Sequence, residues 1–448
     1  MKKLFKKTVP FFAFLFAVIF MLQMVGCKKE NEPISTEPAP APLPQEASLD
    51  NGLLLQLNED GASYTVKGVG SCTDSIVVIP DTYQSAPITA IGAGAFNKCE
   101  TLGKIEIPNS VTTIGNSAFK QCTWLCEVTF GTGLKSIGDS AFYGCSALEK
   151  VILPDGLTSI GESAFISCQN LWELTVPGSL TSLGDYAFNA CPNIQCLTAP
   201  ICVLDAISSK EKMETVVITG GEVLRSNAFK PTGSINFNWN SNLESLVLSE
   251  GVTRIEAEAV EDCNKLANLS LPDSLTFVGE NAFYGCSKLP YHNRENGVYL
   301  GNAQNPCVVL MDVTVSSATS FEIAPETRVI YGYALKGCEK LTSITIPSNV
   351  KSIGHHAFSY CTGLTSITIP ESVTTIENFA FDSCSNLESV TMSKNVETLG
   401  VFVFMGCHNL KSIHFDGLKS EWEELTKDIY LGIASYTVYC TDGTIEVA

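Results

Sequence analysis

A pattern of hydrophobic and polar residues repeats every 23 positions along much of the chain. In each copy, apolar residues alternate with polar ones in a short run such as LTSITIP (341–347), and proline ends the run. Alternation with a period of two predicts a β-strand, and proline cannot donate the hydrogen bond that a central strand needs. A second short apolar run and the segment AFxxC follow. Each copy therefore predicts one turn of a solenoid.

The aromatic position of AFxxC fixes the phase of the repeat. Between the blocks of regular copies the spacing stretches, and in residues 192–243 one copy (LRSNAFKPTG) loses its cysteine and its register. Strands stacked at the parallel spacing of about 4.8 Å would bury one apolar layer per turn. The position is occupied by Phe96, Phe119, Phe142, Phe165 and Phe188, then by Val260 and Phe283, and then by Leu335, Phe358, Phe381 and Phe404.

Three segments depart from the period and predict caps or insertions. GLLLQLNEDGASYTVKGVGSC (52–72) predicts a hairpin, and NGVYLGNAQNPCVVLMDV (296–313) predicts a second one. Beyond residue 415 a polar helical piece and a closing strand are expected. Because open solenoid ends expose unpaired strand edges, we predict an N-terminal hairpin cap (49–72), a solenoid (73–415, with a hairpin insertion at about 290–325) and a C-terminal cap (416–448).

The N-terminus has the pattern of an export signal. A basic segment (MKKLFKK) precedes an apolar run (FFAFLFAVIFML), and MVGC ends at Cys27. This arrangement predicts a cleaved signal peptide (1–26). The cysteine after Met24-Val25-Gly26 resembles a bacterial lipobox, which implies lipidation of Cys27; the alternative is an ordinary signal whose cleavage site lies near a cysteine. Residues 27–48 are rich in Pro and Glu and predict a disordered tether.

The repeat also resembles a known family. LxxIxIPxxVxxIGxxAFxxC is similar to the BspA-type leucine-rich repeat of bacterial surface proteins. The resemblance implies an α/β repeat fold: a right-handed leucine-rich-repeat solenoid with a parallel concave β-sheet, short helical or irregular convex turns, and hairpin caps. It implies adhesion to host proteins or other cells. With the lipobox, it places the protein at a bacterial cell surface, on the outer membrane or the outer leaflet of the plasma membrane.

The amino-acid composition limits the classes of molecule that this protein is expected to bind. The formal net charge is −19, and no stripe of Lys or Arg offsets it, so we expect no nucleic acid as a partner. The hydrophobic fraction of 45% suffices for a large core. The predicted partner is an extracellular protein, contact with the membrane is expected through the lipid anchor alone, and a monomer is expected.

Cysteine is frequent, with 18 in the chain. Stacked cysteines would have Cβ atoms about 4.8 Å apart, beyond the usual disulfide range, so the repeat cysteines predict buried, unpaired thiols. The pairing, if any, of Cys72, Cys126, Cys196, Cys202, Cys307 and Cys440 stays open. The repeat cysteines are Cys99, Cys122, Cys145, Cys168, Cys191, Cys263, Cys286, Cys338, Cys361, Cys384 and Cys407.

The sequence predicts no catalytic, cofactor-binding or metal-binding residue. The serine of G[NDE]SAF occurs three times in succession at one phase, which a single active site does not explain. His355 and His356 occupy a repeat position where other copies have Asn-Ser or Asp-Ser, so they predict surface turn residues. No HExxH or CxxC pattern occurs, and we expect no enzyme activity, metal or cofactor.

The remaining candidate site is the outward face of the concave strands. The leading hypothesis is a non-catalytic adhesion protein that binds a protein there. The alternatives are a glycan-binding component of a nutrient-capture system, although these positions carry no aromatic residue, and a structural spacer. The candidate residues are Lys104, Glu106, Glu127, Thr129, Lys150, Glu173 and Thr175 in the first block, and Ser343, Thr345, Ser366, Thr368, Ser389, Thr391, Ser412 and His414 in the last.

Overall fold

A computed structural model describes residues 44–230, 242–314, 316–433 and 435–447. The predicted signal peptide, Cys27 and most of the predicted tether lie outside the described residues.

The alternating runs form parallel strands in four hydrogen-bonded groups, which together we call the long-strand ladder. Most of the strands bury a central apolar residue, although Ile344 is only half-buried, and within a group each strand pairs in register with the strand one turn away, as Val151 does with Leu174. The strands are Ile76–Val78, Lys104–Glu106 and Glu127–Thr129; Lys150–Ile152, Glu173–Thr175, Cys196–Ala199, Thr215–Ile218, Ser245–Leu248 and Asn268–Ser270; Ser320–Glu322 and Ser343–Thr345; and Ser366–Thr368, Ser389–Met392, Ser412–Phe415 and Tyr436–Cys440.

The second apolar run of each copy forms a parallel short-strand ladder. Its strands have two residues, and the second of these is buried in most turns. Its first group continues from the longer strand Ala86–Ile91, which also pairs antiparallel with Thr82–Tyr83. The strands are Thr113–Ile114, Ser136–Ile137, Ser159–Ile160 and Ser182–Leu183; Val223–Leu224, Arg254–Ile255 and Phe277–Val278; and Val329–Ile330, Ser352–Ile353, Thr375–Ile376 and Thr398–Leu399.

The AFxxC segments are stacked turns; of the two forms expected there, short helical or irregular, they have the irregular one. Their hydrogen bonds run between turns: the Phe119 N–H donates to the Ala141 carbonyl (2.7 Å) and the Phe142 N–H to the Ala164 carbonyl (2.7 Å). Ser140 has φ of 53°, outside the right-handed helical region. Within the described residues the helices are Ile201–Ala206 and Lys419–Leu425. The fold is thus a parallel β-solenoid of about 16 turns with few helices.

Antiparallel strands cover both ends of the solenoid. Glu46–Ser48, Leu54–Leu57 and Tyr64–Gly68 pair in that order, and the last pairs in parallel with Ala86–Ile91. The first of them lies inside the segment predicted as a disordered tether (27–48). Its residues form a strand there because their backbone pairs with Leu54–Leu57. At the other end Tyr436–Cys440 forms a hairpin with Gly443–Val447, where one closing strand was expected.

The predicted insertion is part of the sheet. His292–Arg294 and Gly297–Leu300 pair antiparallel, and Gly297–Leu300 pairs antiparallel with Val309–Val313. Val309–Val313 then pairs in parallel with Val329–Ile330, so the insertion supplies the strand on which the last group of the short-strand ladder begins.

The core consists of repeated layers between the two ladders and the turns. The phenylalanines of AFxxC are almost fully buried and stack with centroids 4.9 to 5.3 Å apart from Phe96 to Phe188. Leu148, Val151, Leu157 and Ile160 fill a layer beside them, each 1% exposed or less. The predicted core positions are therefore confirmed as buried.

Candidate functional site

We call the surface formed by the outward residues of the long-strand ladder the strand face. Because neighbouring strands pair in register, residues of the same repeat position lie side by side: Lys104 next to Glu127, and Lys150 next to Glu173. The alternation in each strand points these residues away from the core. All the candidate residues predicted from sequence lie on this surface.

In the first block the charged residues of the strand face pair with one another. The Lys104 Nζ atom lies 3.0 Å from a Glu127 oxygen and 3.3 Å from a Glu106 oxygen, and Lys150 Nζ lies 2.9 Å from a Glu173 oxygen. The hydrogen bonds that the Lys104 ammonium donates to Glu127 and to Glu106 raise the pKa of Lys104. These charges offset each other, so this half of the face presents no single-sign field to a partner.

Exposed apolar side chains also lie on this half of the face. Ile76, Val78 and Ile152 are 60%, 52% and 56% exposed at outward positions. None of the three is among the candidate residues named from sequence, and the strand of Ile76 and Val78 precedes the first complete AFxxC copy.

In the last block the strand face is a row of hydroxyl groups. Ser343, Thr345, Ser366, Thr368 and Thr391 are exposed, and Ser389 and Ser412 are half-buried. Within the described part of the chain none of these hydroxyls takes part in a side-chain hydrogen bond. The row ends at His414, whose ring stacks on Tyr439 with centroids 4.9 Å apart.

The repeat cysteines are unpaired, as predicted, and all except half-buried Cys99 are buried. The thiol also has a role that the sequence did not reveal. Cys122 Sγ donates to the Phe96 carbonyl (2.9 Å) and Cys145 Sγ to the Phe119 carbonyl (3.1 Å), each reaching the turn before. Burial raises the pKa of Cys122 and of Cys286 to about 12, so both stay protonated at neutral pH. The same bond is made by Cys168, Cys191, Cys286, Cys361, Cys384 and Cys407.

The irregular cysteines are also free thiols. Cys126 and Cys202 are exposed, and Cys307 is buried. The question of pairing that the sequence left open is thus answered for the described residues, where every cysteine is free; these include Cys72, Cys196 and Cys440.

His355 and His356 are not simple surface turn residues. The His356 ring stacks between Tyr333 (5.3 Å between centroids) and Phe379 (4.9 Å), and Phe379 stacks on Phe402 (5.3 Å). We call these four residues the aromatic column. All four have positive φ, and in the first block the same position is serine in three copies, at Ser117, Ser140 and Ser163. In the sequence the column is indicated only by aromatic residues that occupy this one repeat position in each of the last four copies.

A serine, a histidine and a carboxylate also meet here without the geometry of a catalytic triad. Ser359 Oγ lies 2.6 Å from His356 Nδ1, and an Asp382 oxygen lies 3.8 Å from the same nitrogen. A triad needs the serine and the carboxylate on different ring nitrogens. Ser359 is also fully buried, which keeps a substrate away from its hydroxyl.

The described residues contain neither a metal-ligand cluster nor a membrane-spanning helix. No group of three or more His, Cys, Asp or Glu side chains there could hold a metal ion. Among the same residues no helix has both the length and the apolar character to cross a membrane.

Several solved structures resemble the chain at low sequence identity. Solved structures that resemble the chain include a leucine-rich repeat protein from Bacteroides ovatus ATCC 8483 (23% identity over 87% of this chain and 99% of that one, TM-score 0.33). A leucine rich cell surface protein from Faecalibacterium prausnitzii A2-165 is 24% identical over 86% of this chain and 98% of its own, with a TM-score of 0.32. The T. pallidum leucine rich repeat protein is 23% identical over 54% and 90%, with a TM-score of 0.33. No curated protein matches the chain.

The family is shown by the repeats themselves. The profile of the BspA type leucine rich repeat region matches six copies, over residues 89–210, 224–302 and 314–427. These ranges contain most of both ladders and the AFxxC turns. The chain therefore belongs to the BspA-type leucine-rich repeat family.

Proposed function

We propose that this chain is a lipid-anchored bacterial cell-surface protein that adheres to another protein through the strand face, without catalysing a reaction. The observation that carries the proposal is the hydroxyl row of the last block. Each hydroxyl can donate one hydrogen bond and accept two, and none uses this capacity on a neighbouring side chain in the described residues. The family match supports a binding role rather than a catalytic one.

The geometry of the row suits an extended protein segment. Its members recur once per turn, at the parallel-strand spacing of about 4.8 Å, so they present a regular series of donors and acceptors. An extended backbone exposes donors and acceptors of its own along such a line. In the first block the charged side chains already pair with one another, so the last block is the proposed binding region.

The test places the same added charge on both halves of the strand face. Thr345→Lys with Thr368→Lys changes the hydroxyl row, and Thr129→Lys with Thr175→Lys is the matched control in the first block. Beads coated with each full chain are allowed to bind immobilised extracellular-matrix and mucus proteins. We expect the first pair to abolish bead retention and the control to leave it unchanged. Equal retention by both variants would contradict the proposal.

Anchoring and location are tested on cells. We expect Cys27→Ala to move the protein from the membrane fraction to the medium or periplasm, because the acyl chains hold it. Protease treatment of intact cells should remove the wild-type protein if it lies on the outside. A Cys27→Ala protein that stays in the membrane fraction would rule out the lipid anchor.

Glycan binding is the second candidate, and one observation favours it. Trp172 lies in an open surface depression with Glu149, Asn170, Asn193 and Gln195, an aromatic ring among hydrogen-bonding side chains. Lys150 Nζ covers the ring at 4.3 Å from its centroid. A glycan array with the wild type and Trp172→Ala distinguishes the candidates: hits lost in the variant would establish glycan binding, and an empty array would eliminate it.

A further inference from the structure

A cavity of about 420 Å³ lies where the stack of AFxxC turns is interrupted. Four tyrosines line it: Tyr284, Tyr291, Tyr331 and Tyr333. Glu280 supplies a carboxylate to the same wall, and Phe283 and Met311 add apolar surface. No lysine or arginine is among the residues that line the cavity in the described structure.

The interruption explains why the cavity exists. In the regular part of the stack each turn lies directly on the next, as when the Val260 N–H donates to the Ala282 carbonyl (2.9 Å). After Cys286 the chain leaves the stack to form the insertion, and it returns at Tyr331. The Tyr331 ring lies 6.4 Å from the Phe283 ring and is tilted by 51°, whereas the regular phenylalanines stack almost parallel. The poorer packing at this point leaves the space.

The electrostatics of the cavity favour a cation. The π-faces of aromatic rings carry partial negative charge, and the Glu280 carboxylate adds to it. Burial raises the pKa of the Tyr291, Tyr331 and Tyr333 hydroxyls, so these side chains remain neutral phenols at neutral pH. His355 Nε2 lies 3.8 Å from a Glu280 oxygen. The Lys336 ammonium lies 5.0 Å from the Tyr333 centroid, so it competes with a ligand cation for this ring.

We propose that this cavity binds an alkylated ammonium group. Several tyrosine rings around one carboxylate match the way proteins recognise quaternary ammonium, whose methyl groups contact the rings while its charge is attracted to them. An anion would be repelled by Glu280. A neutral sugar would need many convergent hydrogen-bonding groups, and the wall offers mainly apolar ring surface.

Titration calorimetry of the full chain with tetramethylammonium chloride tests the proposal, with sodium chloride as the ionic-strength control. We expect saturable binding at one site. Tyr284→Ala and Glu280→Gln should each weaken it about tenfold or more, because each removes one attractive group. Lys336→Met should tighten it, because the variant lacks a nearby like charge.

The chain supplies a matched control. Tyr143 occupies the same position of the same AFYGC motif as Tyr284, but in the regular part of the stack. Tyr143→Ala should leave binding unchanged, and Tyr284→Phe should retain it because the ring remains. Thermal melting checks that each variant is folded.

Three results would overturn the proposal: no saturable binding of tetramethylammonium, equal binding by Tyr284→Ala, or equal binding of the neutral isostere tert-butyl alcohol. Phosphocholine and trimethyllysine are then compared to identify the source of the ammonium group. Tighter binding of either one than of tetramethylammonium supports the proposal and assigns a lipid-type headgroup or a modified protein side chain, respectively.

Discussion

At the scale of single residues, stability comes from identical side chains that stack on their copies. The Phe142 ring lies between the Phe119 and Phe165 rings, with centroids 4.9 and 5.0 Å away, and it is fully buried. The neighbouring Tyr143 points outward and is half-buried, with the Lys120 ammonium 5.0 Å from its ring. Two adjacent aromatic residues therefore have different energetic roles, set by which side of the turn each occupies.

We expect Phe142→Ala to lower the free energy of unfolding by about 3–5 kcal/mol, because it removes a buried ring and leaves a cavity between two others. Tyr143→Ala is the control and should cost far less. Urea denaturation followed by circular dichroism measures both. Equal losses for the two variants would contradict the assignment of Phe142 to the core stack.

Glu377 is a half-buried carboxyl whose charge changes with pH near neutrality. Burial raises the pKa of this carboxyl from 4.5 to about 7, and the negative charge of Glu280 raises the pKa further. Two interactions lower the pKa: the hydrogen bond that the His355 backbone N–H donates to the carboxylate (2.9 Å), and the positive charge of Arg254. Because the folded pKa exceeds the unfolded one, the unfolded state loses its proton first as pH rises. The contribution of Glu377 to stability is therefore full below about pH 4.5 and declines up to about pH 7.

Glu377→Gln removes this titration and should raise the melting temperature relative to wild type above pH 7, with little difference at pH 4. Calorimetric melts at pH 4, 6 and 8 measure the trend. The exposed Glu371, changed to Gln, is the control and should show no such trend. A melting difference for Glu377→Gln that is constant across this range would refute the explanation.

At the scale of elements, stacking requires that every strand edge be covered. Tyr64–Gly68 covers one edge of Ala86–Ile91, and the hairpin of Tyr436–Cys440 and Gly443–Val447 ends the long-strand ladder. The insertion joins two blocks through Val309–Val313, with the Tyr299 hydroxyl accepting the Ala324 N–H (3.1 Å). Departures from the 23-residue period are thus where the chain begins, restarts or ends a ladder.

Removal of the N-terminal hairpin tests this role. A chain that begins at residue 70 should melt at a lower temperature and aggregate, because the edge of Ala86–Ile91 is then open to pairing with other chains. A chain that begins at residue 44 keeps the hairpin and should behave like the full chain. Light scattering during a thermal melt measures both effects. An unchanged melt for the shorter chain would show that the hairpin is not a cap.

At the scale of the whole molecule, the described structure is held together without covalent crosslinks. Every cysteine in the described residues is free, and the repeat thiols donate hydrogen bonds to carbonyl groups of the preceding turn. Stability therefore rests on the summed packing between neighbouring turns, as expected for a repeat protein.

We accordingly expect a reducing agent to leave the melting temperature unchanged, although the predicted export signal implies a compartment that permits disulfides. Melts with and without dithiothreitol, made on protein purified without reductant, measure this. A clear fall in melting temperature with dithiothreitol would reveal a structural disulfide and contradict the free-thiol structure.

The sequence by itself determined the repeat, its strands, its buried positions and the family, because each turn contacts its neighbours and the local pattern is repeated in every copy. It also indicated both hairpins and the free thiols. The tertiary structure decided what depends on contact between turns. At Gly138 a Cβ would lie 2.7 Å from the Asn116 backbone nitrogen, so the close approach of the previous turn requires glycine.

The turns, the aromatic column and the tyrosine-lined cavity likewise depended on tertiary contacts. AFxxC is short and helix-compatible, and only hydrogen bonds to the next turn exclude a helix. Tyr333, His356 and Phe379 are 23 residues apart in sequence and meet because successive turns align. Tyr284 and Tyr331 are brought together by the insertion between them, whose path no local pattern specifies. A repeat thus encodes its own unit locally, whereas the surfaces that bind partners arise where units are stacked or interrupted.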